Sequence, residues 1–532
     1  MRPTNLARQR ACATTGAVIL AMAGVIAAGA PSSAHSDNLG PDIAAIMHKP
    51  AYAHAQWGLL EVDPSTGDVI HSQFANQFFI PGSDTKLATI STAWHTLGPD
   101  YRFTTPVYAT GTRSGTILNG NLALVAQGDL TMGGRTKPDG SVDFTTIDHL
   151  DASLPGATLT PEDPLAGIDM IAQRIRDTGI TRVDGDVIVD PRIFTPPALN
   201  PQPTPLIIND NVIDLLTTPT TVGQPAQLFW RPQVAPYHVT STVQTVPAGG
   251  TTSVQVSASP DGTQITLSGT ITAGSQPLLQ ISPIRDPNAF GRTALIEALA
   301  RVGVTVTTAP TGPNPVNELP ASYGNDPRVA TYVSPPYRDY AKMILNVSHN
   351  LGANLALCNI AVLQGSKDCL AAFPVEHDFL ANVAHVDPTQ FQLADGRGGD
   401  PADRITPRAL VQLLAYWLRT PDADAFRTSL SILGVRGNNA INCTTDCPAK
   451  GKVFSKPGTV VGQDLLNNQL EIADQSQAGY LVTDDGRLLI FAVLANGATA
   501  TNIQGVVDVY GDTNQISALL QEQAPSCASW CH

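Results

Sequence analysis

Residues 80–111 read IPGSDTKLATISTAWHTLGPDYRFTTPVYATG, and the first half of that stretch decides the fold. Leu87, Ile90, Ala93, Trp94 and Leu97 recur at helical spacing and Gly98-Pro99 stops the pattern, so a helix is predicted to begin close to Ser83. Ser83-Asp84-Thr85-Lys86 then stands at a helix N-terminus, with hydroxyl and amine three residues apart on one face. Serine alone is a weak nucleophile. A lysine stripped of water has a lowered pKa and can take the hydroxyl proton, while the helix N-terminus offers N–H groups to developing negative charge.

Working outward, residues 57–70 read strand, turn, strand, with Asp63-Pro64 and Gly67 supplying the turn. About two hundred residues rich in β-formers follow the helix. Within them Asn119-Gly120, Asp184-Gly185 and Pro260-Asp261-Gly262 each predict a hairpin. Helical patterns interrupt at residues 163–179 and 292–304, and the proline-rich runs 191–205 and 311–320 read as linkers. Helices dominate again from Tyr337. A closing β region holds residues 452–462 and a turn at Asp485-Gly486, and a last helix is expected from about Thr513 to Gln523. One helix-and-strand unit opens the chain and another closes it, which is the pattern of a host domain carrying an insertion.

The 532 residues are 42% hydrophobic and only 14% charged, which excludes a disordered chain. Net charge is -14, and no basic run offers a phosphate-binding surface, so nucleic acid is not an expected partner. Arg2, Arg8 and Arg10, an apolar stretch over residues 17–30 and Ser32-Ser33-Ala34 read as an export signal; a retained anchor is the alternative. Export permits disulfides. Beyond Cys12, the cysteines fall as three close couples, Cys358 with Cys369, Cys443 with Cys447 and Cys527 with Cys531, and pairing within each couple is the simplest connectivity. A zinc site at Cys443-x3-Cys447 would need further ligands, and no histidine follows at finger spacing. The histidines are scattered without an H-E-x-x-H, so no metal is expected.

Two further motifs complete a set. Ser348-His349-Asn350 is an S-x-N in a helix-rich region, and Lys456-Pro457-Gly458-Thr459 is a K-x-G leading the closing strands. S-x-x-K, S-x-N and K-x-G stand in the order used by serine acyl-enzymes of the penicillin-binding and β-lactamase type. Ser36-Asp37-Asn38 is a literal S-D-N, but it precedes the nucleophile and follows the cleavage site directly, so order rejects it.

With these motifs, the Leu-Gly-Pro-Asp-Tyr-Arg-Phe-Thr-Thr run at residues 97–105, Gly128-Asp129, Asp395-Gly396 and the final GYLVTDDGRLLIFAVLANG, the chain resembles the class C low-molecular-mass penicillin-binding proteins, peptidase family S13. The resemblance implies an α+β fold: a penicillin-binding/β-lactamase-type transpeptidase domain, antiparallel sheet flanked by helices, with inserted β-rich domains. The corresponding division is a signal at 1–34, a catalytic domain at 35–105 and 321–524, an inserted domain at 106–206 and 284–320, a nested β-rich domain at 207–283, and a cysteine-bearing tail at 525–532. The implied activity is that of a D-alanyl-D-alanine carboxypeptidase/endopeptidase acting on peptidoglycan peptides, without cofactor, with β-lactams as covalent inhibitors and an extracytoplasmic location. Ser83 would be the nucleophile and Lys86 its base. Ser348 and Asn350 would continue the proton path and hold the substrate amide. Lys456 would face the substrate carboxylate, and Ser83, Gly458 and Thr459 would line the oxyanion and substrate site. His349 is expected to face away from the nucleophile.

Two departures from the family pattern stand out. Pro457 replaces the usual threonine of Lys-Thr-Gly-Thr, losing a hydroxyl and an N–H, and Thr459 shares its strand parity as a substitute. Arg397-Gly398-Gly399-Asp400 replaces the usual Ser-Gly-Leu-Ser-type stretch. The alternatives are a non-catalytic wall-binding relative and a β-lactamase or esterase using the same serine.

Overall fold

The apolar residues on either side of the Asp63–Gly67 turn build two antiparallel strands, Gln56–Val62 and Val69–Gln73. A computed structural model of the protein describes residues 39–524. The expected signal, Ser36-Asp37-Asn38 and the couple Cys527/Cys531 lie outside the described residues. Strand Gln56–Val62 pairs along its other edge with Leu488–Asn496, so the two ends of the chain share one sheet. The sheet runs in the order Ser431–Ile432, Val453–Asp464, Gln469–Val482, Leu488–Asn496, Gln56–Val62, Val69–Gln73, with Ala498–Ala500 beside Gln469–Val482, and every pairing is antiparallel.

Period-2 alternation sends successive side chains of these strands into two cores. Leu60, Tyr480, Ile490, Ala492 and Leu494 pack under helices Thr85–Leu97, Tyr337–Val347, Asn350–Leu363 and Pro407–Trp417. Leu59, Leu481, Leu489, Phe491 and Val493 pack against helices Pro41–Met47 and Ile503–Glu522. Each fully buried Leu, Ile or Phe here contributes about 1.5–3 kcal/mol. The sheet is therefore buried on both faces, and helix Thr85–Leu97 is buried all round from Thr85 to Trp94.

Between the two halves lies a six-stranded sheet built on Thr104–Ser114 and Ile117–Val125, packed with helices Ala166–Asp177 and Pro287–Arg301 and two smaller sheets around a third core. The Pro260-Asp261-Gly262 hairpin forms, joining Ser253–Ala258 to Gln264–Thr272. The other two expected hairpins do not. Asn119-Gly120 lies inside strand Ile117–Val125, and the real turn is Gly115-Thr116. Arg182–Val183 and Val187–Asp190 both run parallel to Ile117–Val125, as one strand interrupted at residues 184–186. The glycines serve close approach instead: a Cβ would lie 1.9 Å from Thr110 O at Gly120 and 2.2 Å from Gly120 O at Gly185.

Two helix boundaries also differ. The last helix begins at Ile503, ten residues before Thr513, with the Asn502 side chain accepting from Gly505 N. Val506, Val507, Val509 and Tyr510 look like a strand by composition, but Val506, Val509, Ile516 and Leu520 pack at helical spacing into the core that holds Leu59, Phe491 and Val493. The long helical pattern after Tyr337 is broken at Ser348, which is left-handed at φ +58°. Two disulfides, Cys358–Cys369 and Cys443–Cys447, close short loops among the described residues.

Candidate active site

Ser83 sits in a tight turn, Gly82–Asp84, that feeds directly into helix Thr85–Leu97, so Lys86 lies one turn below it. Lys86 Nζ is 2.7 Å from Ser83 Oγ, 2.8 Å from Asn350 Oδ1, 3.0 Å from Arg397 O and 3.4 Å from Ser348 Oγ. Its side chain has no solvent exposure. Burial is the main cause holding its pKa well below the usual lysine range, and the positive charges of Lys456 and Arg397 add to it. A neutral amine has two hydrogens and one lone pair. In that form the Asn350 and Arg397 oxygens, which can only accept, would take the hydrogens and leave the lone pair to the Ser83 hydroxyl.

The break at Ser348 makes the second side of the site. Ser348 ends one helix and Asn350 begins the next, which aims both side chains at Lys86. Lys456 comes from strand Val453–Asp464 and donates to Ser348 Oγ at 2.9 Å and to its neighbour Pro457 O. It is also fully buried, which lowers its pKa to about 8 against the opposing pull of Asp84, Asp151 and Asp474. Ser348 Oγ thus stands between the two lysines.

The third side is a strand edge. Val453–Asp464 is paired along one edge with Gln469–Val482, while its other edge is covered by Ser431–Ile432 only at Phe454 and Ser455. From Lys456 onward that edge is open. A Cβ on Gly82 would lie 3.2 Å from Thr459 N, so this N–H borders the nucleophile turn. By parity Pro457 presents its missing N–H on the same edge, where no partner strand needs it. Thr459 Oγ1 donates to Gln475 Oε1 at 3.0 Å, and Gln475 Nε2 donates to Gly458 O. The Thr459 hydroxyl proton is therefore already spent, and its stand-in role for the missing threonine is not what this geometry offers.

Several neighbours had been given no role from the sequence. Asp395 Oδ1 accepts from Arg397 N at 2.9 Å and Gly398 N at 2.6 Å, which folds the substituted stretch so that Arg397 O meets Lys86. Asp151 arrives from the intervening region; burial and nearby Asp148 raise its pKa to about 6, offset by His349, Lys86 and Lys456. Burial also raises Asp84 and Asp474 well above the carboxylate range. Asp84 was visible inside the S-x-x-K motif and Asp395 beside Gly396; Asp151 and Asp474 reach the site only through long-range topology. His349 points away from Ser83, donating nothing to it, and its ring lies against the intervening region.

This arrangement belongs to a known class. The chain is similar to the solved structure of penicillin binding protein 4 from Haemophilus influenzae, with TM-score 0.64 and 16% identity over 90% of this chain and all of that one. A complex of the same protein with a novel β-lactam is matched equally well, with TM-score 0.64. The fold is that of a penicillin-binding protein: α+β, with a helix-covered antiparallel sheet. The profile of the D-Ala-D-Ala carboxypeptidase 3 (S13) family matches residues 39–510, and the chain belongs to that family. It is 24% identical over 491 residues to a D-alanyl-D-alanine carboxypeptidase of Actinomadura sp. (strain R39), covering 88% of this chain and 82% of that protein. It is 23% identical to penicillin-sensitive carboxypeptidase A of Dictyostelium discoideum, covering 87% of each. The chain is an enzyme of the D-Ala-D-Ala carboxypeptidase type.

Proposed function

We propose that the protein is a serine D,D-peptidase that cleaves D-alanyl-D-alanine bonds of peptidoglycan peptides through an acyl-enzyme on Ser83. The observation that carries this is the fully buried Lys86 amine, its Nζ 2.7 Å from Ser83 Oγ and its pKa held well below the usual lysine range. Lys86 takes the Ser83 proton as Oγ attacks the carbonyl carbon. The N–H groups of Ser83 and Thr459 receive the oxyanion, with Gly458 keeping the strand close to the nucleophile turn. As the C–N bond breaks, the leaving amine takes a proton through Ser348, which Lys456 holds in place. Asn350 steadies Lys86 and the substrate amide. Water then attacks the ester and frees the enzyme. A β-lactam follows the same first steps, its ring amide breaking instead, in keeping with the β-lactam complex of the Haemophilus relative.

Peptidoglycan lies outside the cytoplasmic membrane, so the proposal includes export, supported by two disulfides and by the signal-like character of residues 1–34. It keeps residues 35–105 and 321–524 as the catalytic domain, with the intervening residues as inserted domains.

Recognition of the substrate's free carboxylate falls to Lys456, because Pro457 has no hydroxyl and the Thr459 proton serves Gln475. A peptide ending in D-Ala-D-Ala with a free C-terminus is expected to be cleaved with about tenfold higher kcat/KM than its amide, the value of one charge-assisted hydrogen bond. Pro457→Thr is expected to widen that ratio. Assaying D-alanine or D-alaninamide release checks this, and equal turnover of both peptides would remove carboxylate recognition.

A further inference from the structure

His349 is the middle residue of the S-x-N motif and is buried, with 2% exposure, away from the reacting atoms. Its Nδ1 accepts from Gly352 N at 3.0 Å, capping the helix that begins with Asn350. In the neutral ring this places the hydrogen on Nε2, which lies 3.3 Å from Asp210 Oδ1. Neither atom has a hydrogen-bond partner, so the two meet as a close buried polar contact. Asp210 belongs to the intervening region, in a turn where Asn209, Asp210 and Asn211 are all left-handed, at φ +51°, +53° and +58°.

That turn is fixed by a buried ion cluster. Asp210 Oδ2 accepts from Arg135 at 2.7 Å and faces His149 Nε2 at 2.6 Å. Arg135 also forks onto Asp148, and His149 Nδ1 meets Asp214 at 2.7 Å, with Arg231 on the other Asp214 oxygen. Burial disfavours a charged His149, but Asp148, Asp214 and Asp210 together outweigh it and raise its pKa to about 10. Three carboxylates thus face two guanidiniums and one imidazolium. Asp148, His149 and Asp210 converge like metal ligands, yet Arg135, bonded to both acids, and the protonated His149 already balance them, so the cluster reads as an anchor. The same cluster holds the turn His149–Asp151, whose last residue is the acid beside the two lysines.

We infer that His349 is a positioning residue: by spanning the Asn350 helix cap and Asp210, it ties the Ser348–Asn350 turn to the ion cluster of the intervening region. Ser348 is left-handed without being glycine, a conformation that persists only where surrounding contacts over-determine it. The tie supplies such contacts, and through them the intervening region sets where Ser348 Oγ and Asn350 Oδ1 meet Lys86 and Lys456. The inference rests on the acyl-enzyme reading of the site.

Two variants separate the halves of the ring. His349→Asn keeps an acceptor near the Nδ1 position and so the helix cap, but is too short for Asp210. His349→Gln places an amide near the Nε2 position and can restore the tie. The full chain and both variants are labelled with fluorescent penicillin, the reactive fraction is taken from the end-point, and the acylation rate constant per reactive site is separated from the pre-covalent affinity. His349→Asn is expected to lower the rate constant about 10- to 100-fold at unchanged affinity, and His349→Gln to recover most of it. Loss of folded protein would change the end-point, not the rate per site. A wild-type rate constant in His349→Asn would overturn this inference alone. Failure of the unaltered chain to form any adduct would remove the acyl-enzyme reading and this inference with it.

Discussion

Lys86→Ala is expected to slow acylation by a β-lactam about 10,000-fold, the upper range for a single general base, with Ser83 still present. No neighbour can stand in. Lys456 carries its proton at neutral pH, and the Ser348 hydroxyl already accepts from it. Lys86→Arg is expected to be as poor, because a guanidinium keeps its proton and has no lone pair to offer. The same electrostatics set a pH profile with two limbs of opposite sign. On the acid side, protonating Lys86 removes the base; burial and the neighbouring cations hold its pKa well below the usual lysine range, so this limb is expected at lower pH than for an exposed lysine. On the alkaline side, Lys456 loses its charge near its pKa of about 8, and the rate falls as the cation beside Ser348 disappears. Second-order acylation rate constants across pH check both limbs. A rate that climbs steadily to pH 10 would mean an ordinary lysine base and contradict the account.

Gly398→Ala should be the most damaging change that leaves every chemical group of the site in place. Gly398 is left-handed at φ +84°, and a Cβ there would lie 1.6 Å from Gly82 O and 2.7 Å from Thr85 Oγ1. No rotamer relieves a clash with backbone. The loop from Asp395 to Gly398 would have to leave the nucleophile turn, carrying the Arg397 carbonyl away from Lys86. A stability loss of about 3 kcal/mol and a fall in acylation per folded molecule of at least about 100-fold are expected. Gly486→Ala is the control: it has a similar φ of +83° but nothing within 4 Å of a Cβ, so it should cost about 1 kcal/mol and leave acylation unchanged. Denaturant unfolding and penicillin labelling of both variants give the comparison; equal effects would show that the Gly398–Gly82 contact is not what matters.

Local signals in the sequence were enough for the frame of this molecule. The Leu87–Leu97 spacing yields the nucleophile helix, the Asp63-Pro64 turn yields the first hairpin, and the three motifs converge on one point although they lie far apart in the chain. Reading failed where two chemistries share one cue. Asn119-Gly120 and Asp184-Gly185 look like hairpin turns, but their glycines let neighbouring strands approach, which depends on partners remote in sequence. Val506, Val507, Val509 and Tyr510 favour strand by propensity, and tertiary packing at helical spacing overrides it. Asp151 and Asp210 act through topology: one reaches the two lysines and the other reaches His349, each from a segment whose own pattern says nothing of it. Pro457 was visible as a departure, but only the open strand edge explains why its missing N–H is tolerated.

The central claim is that Ser83 is the nucleophile. Incubating the purified protein with penicillin, digesting it and locating the adduct by mass spectrometry tests that most directly. One penicilloyl group per chain is expected, on the peptide that contains Ser83, absent from Ser83→Ala and stable for much longer than a β-lactamase turnover. An adduct on another residue, or one that persists in Ser83→Ala, would contradict it.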